Sequence, residues 1–207
     1  MLSQLDNIIF PDRCEVLEIS PQRFVYPIYK NGSSSLYNSG FRILDPEELS
    51  NLDKVEIFVR DPFDRFQSGI TTWIQHNSPA YDRATLLWVA SNHLFLNRHF
   101  CPQFHWLVNL RRFTSARIKI NPISQLSRIT TLHENATENK IQSGELFSSK
   151  AQFYLQIDKV LTETLIGQTV EFAEIIQVIK DRYPSVYQEV IQRSMNLGNV
   201  LLCNVLV

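Results

Sequence analysis

The stretch from Phe24 to Phe41 constrains the fold more than any other part of the chain. It begins with a short apolar run, which predicts a buried strand over Phe24–Tyr29. A polar turn with one lysine, one glycine and three consecutive serines follows, and it leads into a helix predicted from about Ser33 to Leu44. Backbone N–H groups at a turn that opens a helix attract anions. We therefore expect this turn to hold a phosphate or a sulfate group.

A second strand and helix are predicted where residues 54–60, KVEIFVR, run into DPFDRF. Apolar residues alternate along the first segment, as in a strand with one buried face. Asp61 is a favourable N-cap and Pro62 a favourable first helical residue, so a helix is predicted to start there. Arg65 falls on the polar face of that helix, where we expect a surface ion pair. The buried stripe of the helix is expected to comprise Phe63, Phe66, Ile70 and Trp73.

The order of strand, helix, strand and helix predicts an α/β domain whose central parallel sheet is flanked by helices. A third helix is predicted over residues 82–97 and a further strand over residues 116–120. The chain is predicted to be mainly helical over residues 150–193, and residues 1–22 are expected to form a loosely packed arm. These elements suffice for one compact α/β unit.

Two positively charged residues directly follow the first two predicted strands. Lys30 lies where the first strand ends, and Arg60 lies where the second strand ends. Ligands of open α/β sheets bind at the carboxyl ends of the strands. Ser68, about two turns into the following helix, can converge with Arg60 on one anionic group. The sequence therefore predicts two anion-binding points at one edge of the sheet.

Composition limits the classes of function that suit this chain. Of its 207 residues, 44% are hydrophobic and 20% are charged, which predicts one packed domain. The formal net charge of −1 lacks the basic excess of a general nucleic-acid binder. Three cysteines, far apart and odd in number, indicate neither a zinc site nor a disulfide framework.

Targeting signals are not visible in the sequence. Charged residues interrupt residues 1–20, so no signal peptide is predicted there. The apolar stretch at residues 197–207 is shorter than the roughly 20 residues that a bilayer-spanning helix needs. We therefore expect no transmembrane segment and a cytoplasmic location.

Three segments resemble motifs of one enzyme family. VYPIYKNGSSSL, residues 25–36, resembles the 5′-phosphosulfate loop of sulfotransferases that use 3′-phosphoadenosine 5′-phosphosulfate (PAPS). VRDPFDRFQSG, residues 59–69, resembles the 3′-phosphate motif of that family, with Arg60 and Ser68 at the family's spacing. NRHFCPQ, residues 97–103, resembles its His-x-x-Pro-Gln segment. The resemblance is closest to the Golgi-type carbohydrate sulfotransferases and covers roughly residues 24–140.

This resemblance implies a P-loop-like, three-layer α/β fold. It implies a single domain over residues 1–207, with a nucleotide-binding core at about residues 24–122 and a mostly helical part at residues 150–195. It also implies transfer of a sulfuryl group from PAPS to a hydroxyl of a carbohydrate or glycoconjugate, with release of 3′,5′-adenosine bisphosphate. Neither a metal nor a nucleic acid is implied by the family's chemistry.

The resemblance also implies roles for individual residues. Lys30 neutralises charge on the leaving oxygen, and Arg60 and Ser68 bind the 3′-phosphate of the donor. His99 is the expected general base, because histidine titrates near neutral pH. His76, His133 and Glu134 are further candidates for the base. The expected 5′-phosphosulfate loop comprises Lys30, Asn31, Gly32, Ser33, Ser34, Ser35 and Leu36.

Some features depart from the family pattern and leave more than one function open. Ser33 stands where the family often has cysteine, and no N-terminal membrane anchor is visible, so a bacterial or viral relative is expected rather than a Golgi enzyme. A non-catalytic nucleotide- or phosphate-binding protein is a second hypothesis. A P-loop kinase is a third, but its motif needs the lysine after the glycines, whereas Lys30 precedes Gly32. The sequence determines neither the acceptor nor the oligomeric state.

Overall fold

The computed structural model describes residues 14–78, 81–92, 97–130 and 149–189. Within these ranges the chain forms one mixed sheet of six strands in the order β3-β1-β2-β4-β5-β6, together with helices. The strands are β1 Leu17–Ser20, β2 Arg23–Val25, β3 Arg42–Ile43, β4 Lys54–Val59, β5 Arg117–Pro122 and β6 Thr169–Val170. The α-helices are α1 Ser33–Asn38, α2 Pro46–Leu49, α3 Pro62–Asn77, α4 Arg83–Asn92, α5 Gln103–Arg111, α6 Ser149–Lys159 and α7 Phe172–Arg182. The predicted α/β class is thus confirmed.

The sheet is parallel only in its centre, so the predicted parallel arrangement is confirmed only there. Strands β2, β4 and β5 run parallel, whereas β1 pairs antiparallel with both β2 and β3, and β6 pairs antiparallel with β5. For β1 and β2, the reason lies in the connection between them. Only two residues separate these strands, and Gln22 adopts a left-handed φ of 62°. A turn this short can only join antiparallel strands.

The first predicted elements are shorter than expected. Regular pairing in β2 ends at Val25, although the N–H of Tyr26 still donates to the carbonyl of Glu56 at 2.9 Å. Pro27 follows and has no N–H with which to continue the ladder. The helix predicted to reach Leu44 ends at Asn38, because Gly40 takes a left-handed φ of 70° and the chain turns back.

The segment after α1 is ordered in a way that the sequence did not predict. Residues 42–43 form the edge strand β3 beside β1. Directly after Leu44, the predicted end of the first helix, Asp45 and Pro46 start α2, where Asp45 and Glu48 form a capping box. The arm predicted over residues 1–22 likewise contains the strand β1.

Helix α3 confirms the strongest local prediction. The Asp61 carboxylate accepts the N–H groups of Phe63 and Asp64 at 2.9 and 3.0 Å, and Pro62 is the first helical residue. Phe66 is completely buried, as the apolar stripe predicts. Strand β4 and helix α3 therefore follow each other as expected, with Arg60 at the junction.

The carboxyl-terminal half is only partly the helical tail that was predicted. Helix α6 continues as a π-helical turn over Val160–Thr164, and the short edge strand β6 separates it from α7. Residues 184–189 are helical again, with Pro184 as the first helical residue. The third predicted helix is observed as α4 over Arg83–Asn92. Residues 93–96, which precede its predicted end at Asn97, lie outside the described residues.

Both faces of the sheet are covered. Ile57 of β4 joins the main core with residues of α3, α5, α6 and α7. Its neighbour Phe58 points to the other face, where it packs with Leu36 of α1 and Leu126 of the 3₁₀ segment Ile123–Arg128. No helix within the described ranges is both long and apolar enough to cross a membrane.

Candidate functional site

Two turns lie at the carboxyl ends of neighbouring parallel strands. The lysine turn, residues 29–32, follows β2, and the arginine turn, residues 60–61, follows β4. Val25 pairs with Glu56 in the parallel register, so both strands deliver their following turns to the same edge of the sheet. The expected juxtaposition is therefore a direct result of the parallel centre of the sheet.

The lysine turn has an unusual backbone. Lys30 adopts a left-handed φ of 68°, which is uncommon for a residue with a side chain, and Gly32 has a φ of 76°. Gly32 is also the N-cap of α1, and no side chain of the described residues caps that helix. Because positive φ at Lys30 costs about 1 kcal/mol or more, the surrounding structure must hold this turn in place.

The Lys30 side chain is half-buried and points towards α3. Its Nζ donates a hydrogen bond of 2.5 Å to Oγ1 of Thr72, and that hydroxyl donates to the carbonyl of Ser68 at 3.1 Å. Burial lowers the pKa of Lys30, and the positive charges of Arg65 and Arg60 lower it further. Both arginines are therefore close enough to act on the charge of Lys30.

Arg60 presents its side chain at this edge from a firmly held backbone. Its N–H donates to Oε1 of Gln103 at 3.1 Å, and its carbonyl accepts from Nε2 of Gln103 at 2.8 Å. Among the residues that the structure describes, neither Lys30 nor Arg60 forms an ion pair with a carboxylate. Ser68, the expected partner of Arg60, is half-buried on α3, where its carbonyl accepts from Thr72, the residue that binds Lys30.

The remaining residues of the expected loop differ in what they offer a ligand. Ser33 and Ser35 are buried, whereas Ser34 is exposed. Leu36 packs into the core, and its N–H donates to the carbonyl of Gly32 at 3.1 Å. A ligand can therefore reach three parts of this loop: the exposed hydroxyl of Ser34, the Lys30 side chain and the backbone of the turn.

Arg65 is not on the surface, and the expected surface ion pair is wrong. The residue is fully buried, and its guanidinium donates to the carbonyls of Tyr29 at 2.9 Å, Cys101 at 2.5 Å and Arg98 at 3.3 Å. Burial lowers the pKa of Arg65, and nearby Asp158 partly offsets this effect. A guanidinium has five N–H donors, so one side chain fastens the lysine turn to the segment at residues 98–101.

His99 lies beside the lysine turn with a defined tautomer. Oδ1 of Asn97 accepts the backbone N–H of His99 at 2.9 Å and lies 2.7 Å from Nδ1 of the ring. Since this amide oxygen can only accept, Nδ1 carries the proton and Nε2 carries the lone pair. Burial lowers the pKa of His99 to about 4, and Lys30 contributes most among the neighbouring charges. The ring is therefore neutral at neutral pH, and Nε2 carries a free lone pair. The expectation that His99 titrates near neutral pH is wrong, and Nε2 is a weaker base in this structure than an ordinary histidine.

The backbone of His99 packs directly against α3. A Cβ atom at Gly69 would lie 2.1 Å from the carbonyl oxygen of His99, so only glycine allows this approach. His76, a further candidate for the base, is exposed in the last turn of α3 and also lowers the pKa of His99. The candidates His133 and Glu134 lie outside the described residues.

The chemistry of this edge suits a ligand with several negative charges. Lys30, Arg60 and buried Arg65 supply the positive charge, and Ser34 and Ser68 supply hydroxyl groups. In the described ranges, no cluster of three or more His, Cys, Asp or Glu side chains is arranged to hold a metal ion. The donor set thus fits phosphate and sulfate groups better than a cation.

No protein-family model, curated protein or solved structure matches the chain. The function must therefore be inferred from the residues of the chain itself. The sequence predicted the positions of both turns, and His99 lies beside one of them, but the burial of Arg65 and the contribution of Asp158 were not predicted. The spacing of Arg65 and Gly69, one helical turn apart, is a signal that this face of α3 packs closely against another segment.

Proposed function

We propose that the protein is a sulfotransferase that transfers a sulfuryl group from PAPS to a hydroxyl of a carbohydrate-like acceptor, within a P-loop-like domain. One observation carries the proposal: the cations Lys30, Arg60 and Arg65 lie together at the carboxyl ends of parallel strands, and among the described residues no carboxylate forms an ion pair with Lys30 or Arg60. Clustered cations repel one another unless an anion joins them. The donor carries negative charge at both its 5′ and 3′ ends, which matches two separate turns.

In this proposal, each turn binds one end of the donor. Lys30, the hydroxyl of Ser34 and the amides of the lysine turn bind the 5′-phosphosulfate. Arg60 and Ser68 bind the 3′-phosphate, and this contact distinguishes PAPS from nucleotides that lack it. Charge-assisted hydrogen bonds of this kind contribute about 1.5–3 kcal/mol each.

The reaction forms one bond and breaks one bond at sulfur. The acceptor oxygen attacks the sulfuryl group while the bond between sulfur and the bridging phosphate oxygen breaks. Lys30 leaves Thr72 and donates to that bridging oxygen, which stabilises the negative charge that develops there. The lone pair on Nε2 of His99 takes the proton of the acceptor hydroxyl. The products are a sulfate ester and 3′,5′-adenosine bisphosphate.

A transfer assay tests the proposal directly. PAPS with a radioactive sulfur label is incubated with the protein and a panel of oligosaccharides, and both labelled product and released bisphosphate are quantified. The proposal predicts equal amounts of sulfate ester and bisphosphate with at least one acceptor.

Two outcomes of that assay would contradict the proposal. Tight binding of the bisphosphate without transfer to any acceptor indicates a non-catalytic nucleotide-binding protein. Magnesium-dependent turnover of ATP, without use of PAPS, indicates a kinase.

A further inference from the structure

The side-chain amide of Gln103 forms two hydrogen bonds with the backbone of Arg60, as a residue of a neighbouring strand would. Its Nε2 donates to the carbonyl of Arg60 at 2.8 Å, and its Oε1 accepts the N–H of the same residue at 3.1 Å. Because a peptide N–H only donates and a carbonyl only accepts, the orientation of the amide is fixed. The side chain therefore binds the backbone of the arginine turn at two points.

The same amide also reaches the lysine turn. Nδ2 of Asn31 donates hydrogen bonds to Oε1 of Gln103 at 2.6 Å and to the carbonyl of Phe58 at 2.8 Å. Asn31 and Gln103 are both buried, with exposures of 1% and 0%. One side chain thus connects the turn after β2 to the turn after β4, away from competing water.

The backbone of Gln103 is itself anchored from another direction. Both carboxylate oxygens of Asp158, on α6, accept N–H groups at the start of α5, from Gln103 at 2.6 Å and from Phe104 at 2.8 Å. Asp158 is fully buried and interacts with Arg65, which also holds the lysine turn. The amide of Gln103 is therefore fixed relative to both turns before any ligand binds.

We propose that Gln103 is a positioning residue that holds the lysine turn and the arginine turn in register, so that a nucleotide with two anionic ends engages both turns at once. The identity of that nucleotide rests on the proposed function, whereas the coupling of the turns does not. Gln103 contacts no ligand in this proposal and acts through Asn31 and the backbone of Arg60.

The coupling predicts a specific pattern of ligand affinities. The affinity of 3′,5′-adenosine bisphosphate should exceed that of either 5′-AMP or 3′-AMP by about 100-fold in the wild type, because the second contact forms within the complex. In Gln103→Met, which keeps the size of the side chain but removes the amide, this advantage should fall to about tenfold or less. The affinities of the two monophosphates should change by less than about threefold.

Asn109→Leu provides the matched control for this measurement. Asn109 is another buried amide on α5, but it donates to the hydroxyl of Tyr26 and to neither turn. Its replacement should leave the advantage of the bisphosphate unchanged. Equal loss of this advantage in both variants, or its full retention in Gln103→Met, would overturn the proposal.

A measurement without ligand tests the coupling even if Gln103→Met fails to fold. In the wild type, NMR exchange rates of the side-chain amide protons of Gln103 and the N–H of Arg60 should be slow, like those of buried backbone N–H groups. Exchange as fast as that of an exposed glutamine would overturn the proposal. If no adenine nucleotide binds the wild type, the proposed function fails, and these exchange rates still decide whether Gln103 couples the turns.

Discussion

Strands β2 and β4 and the turns that follow them carry two groups of charged residues. Within the described residues, the groups differ in whether a carboxylate pairs with the cation. Arg23, at the start of β2, binds Glu56 of β4 through two hydrogen bonds of 2.8 and 2.9 Å, and Asn121 of β5 also donates to Glu56 at 3.0 Å. Lys30 and Arg60, which follow the same two strands, have no such carboxylate among the described residues. The sheet therefore compensates the buried carboxylate of Glu56 with the exposed cation of Arg23 and leaves positive charge at its carboxyl edge.

This difference separates structural charge from functional charge. The charge of a buried carboxylate that is paired with arginine is already compensated, so a ligand that binds there gains no electrostatic free energy. A cluster of cations at an edge gains free energy only when an anion binds. The contrast predicts that substitutions in the first group change stability and substitutions in the second group change binding or turnover.

The largest effect is expected for Lys30→Met, which keeps the length of the side chain but removes its charge. Turnover in the transfer assay should fall by about 10³-fold, because the leaving oxygen loses its stabilising donor. Affinity for the bisphosphate should fall less, by about 10- to 100-fold, because one charge-assisted hydrogen bond is lost. Lys119→Met is a control, since Lys119 lies on β5 and donates to the carbonyl of Gly167. Unchanged turnover in Lys30→Met would contradict the catalytic role.

Replacement of Arg23 tests the other group of charges. Arg23→Ala leaves the buried carboxylate of Glu56 without its cation and should lower the free energy of unfolding by about 1–2 kcal/mol. Arg117→Ala breaks an exposed pair with Asp53 and should cost less than about 1 kcal/mol. Urea denaturation of the two variants measures both values. If Arg23→Ala costs no more than Arg117→Ala, the distinction between a pair with a buried carboxylate and a pair with an exposed carboxylate is wrong.

The pH dependence of stability reports on His99. Because burial and nearby cations lower its pKa to about 4, the folded protein excludes a proton that the unfolded chain binds below its ordinary pKa of about 6.5. The resulting destabilisation is absent above about pH 7 and grows as pH falls from about 6.5 towards 4. Between about pH 7 and pH 5, His99→Gln should therefore lose about 1 kcal/mol less stability than the wild type, after allowance for partial exposure.

Thermal unfolding of both proteins at a series of pH values measures this difference. Parallel pH profiles would show that the cations do not act on His99. NMR titration of the ring adds a second test, because a bound bisphosphate offsets the charge of Lys30 and should raise the pKa of His99 from about 4. A pKa that stays constant when the nucleotide binds would place His99 away from the ligand.

The smallest effect is expected for Ser68→Ala. Loss of one neutral hydroxyl contact with the 3′-phosphate should weaken binding of the bisphosphate by about fivefold, which corresponds to about 1 kcal/mol. Binding of 5′-AMP, which lacks that phosphate, should not change. Ser127→Ala, on the exposed surface of the 3₁₀ segment, serves as the control. An equal loss for both nucleotides would show that Ser68 does not contact the 3′-phosphate.

Local signals explain which parts of the fold could be predicted from the sequence. Strand β4, the helix start at Asp61 and the lysine turn each depend on neighbouring residues, and each lies where it was predicted. Strands β3 and β6 contain two residues each and exist because a distant strand pairs with them. Such short pairings leave no periodic pattern in the sequence.

In the candidate site, too, features that depend on neighbouring residues could be predicted, and features that depend on distant segments could not. Lys30 and Arg60 follow predicted strands, so their shared edge could be inferred from topology. The burial of Arg65 depends on three carbonyl groups from two separate segments, and the position of Asp158 depends on how α6 packs on α5. Polar residues on an amphipathic helix normally face solvent, and this rule fails where carbonyls without partners converge.

Calorimetry with 3′,5′-adenosine bisphosphate tests the central claim most directly. Arg60 is one of the cations at the carboxyl edge that form no ion pair with a carboxylate among the described residues, whereas Arg23 is paired with Glu56. We therefore compare Arg60→Ala and Arg23→Ala with the wild type. We predict that Arg60→Ala weakens binding by about 100-fold and that Arg23→Ala changes it by less than about threefold. Absence of binding by the wild type, or equal loss in both variants, would contradict the claim that this edge binds a nucleotide with two phosphates.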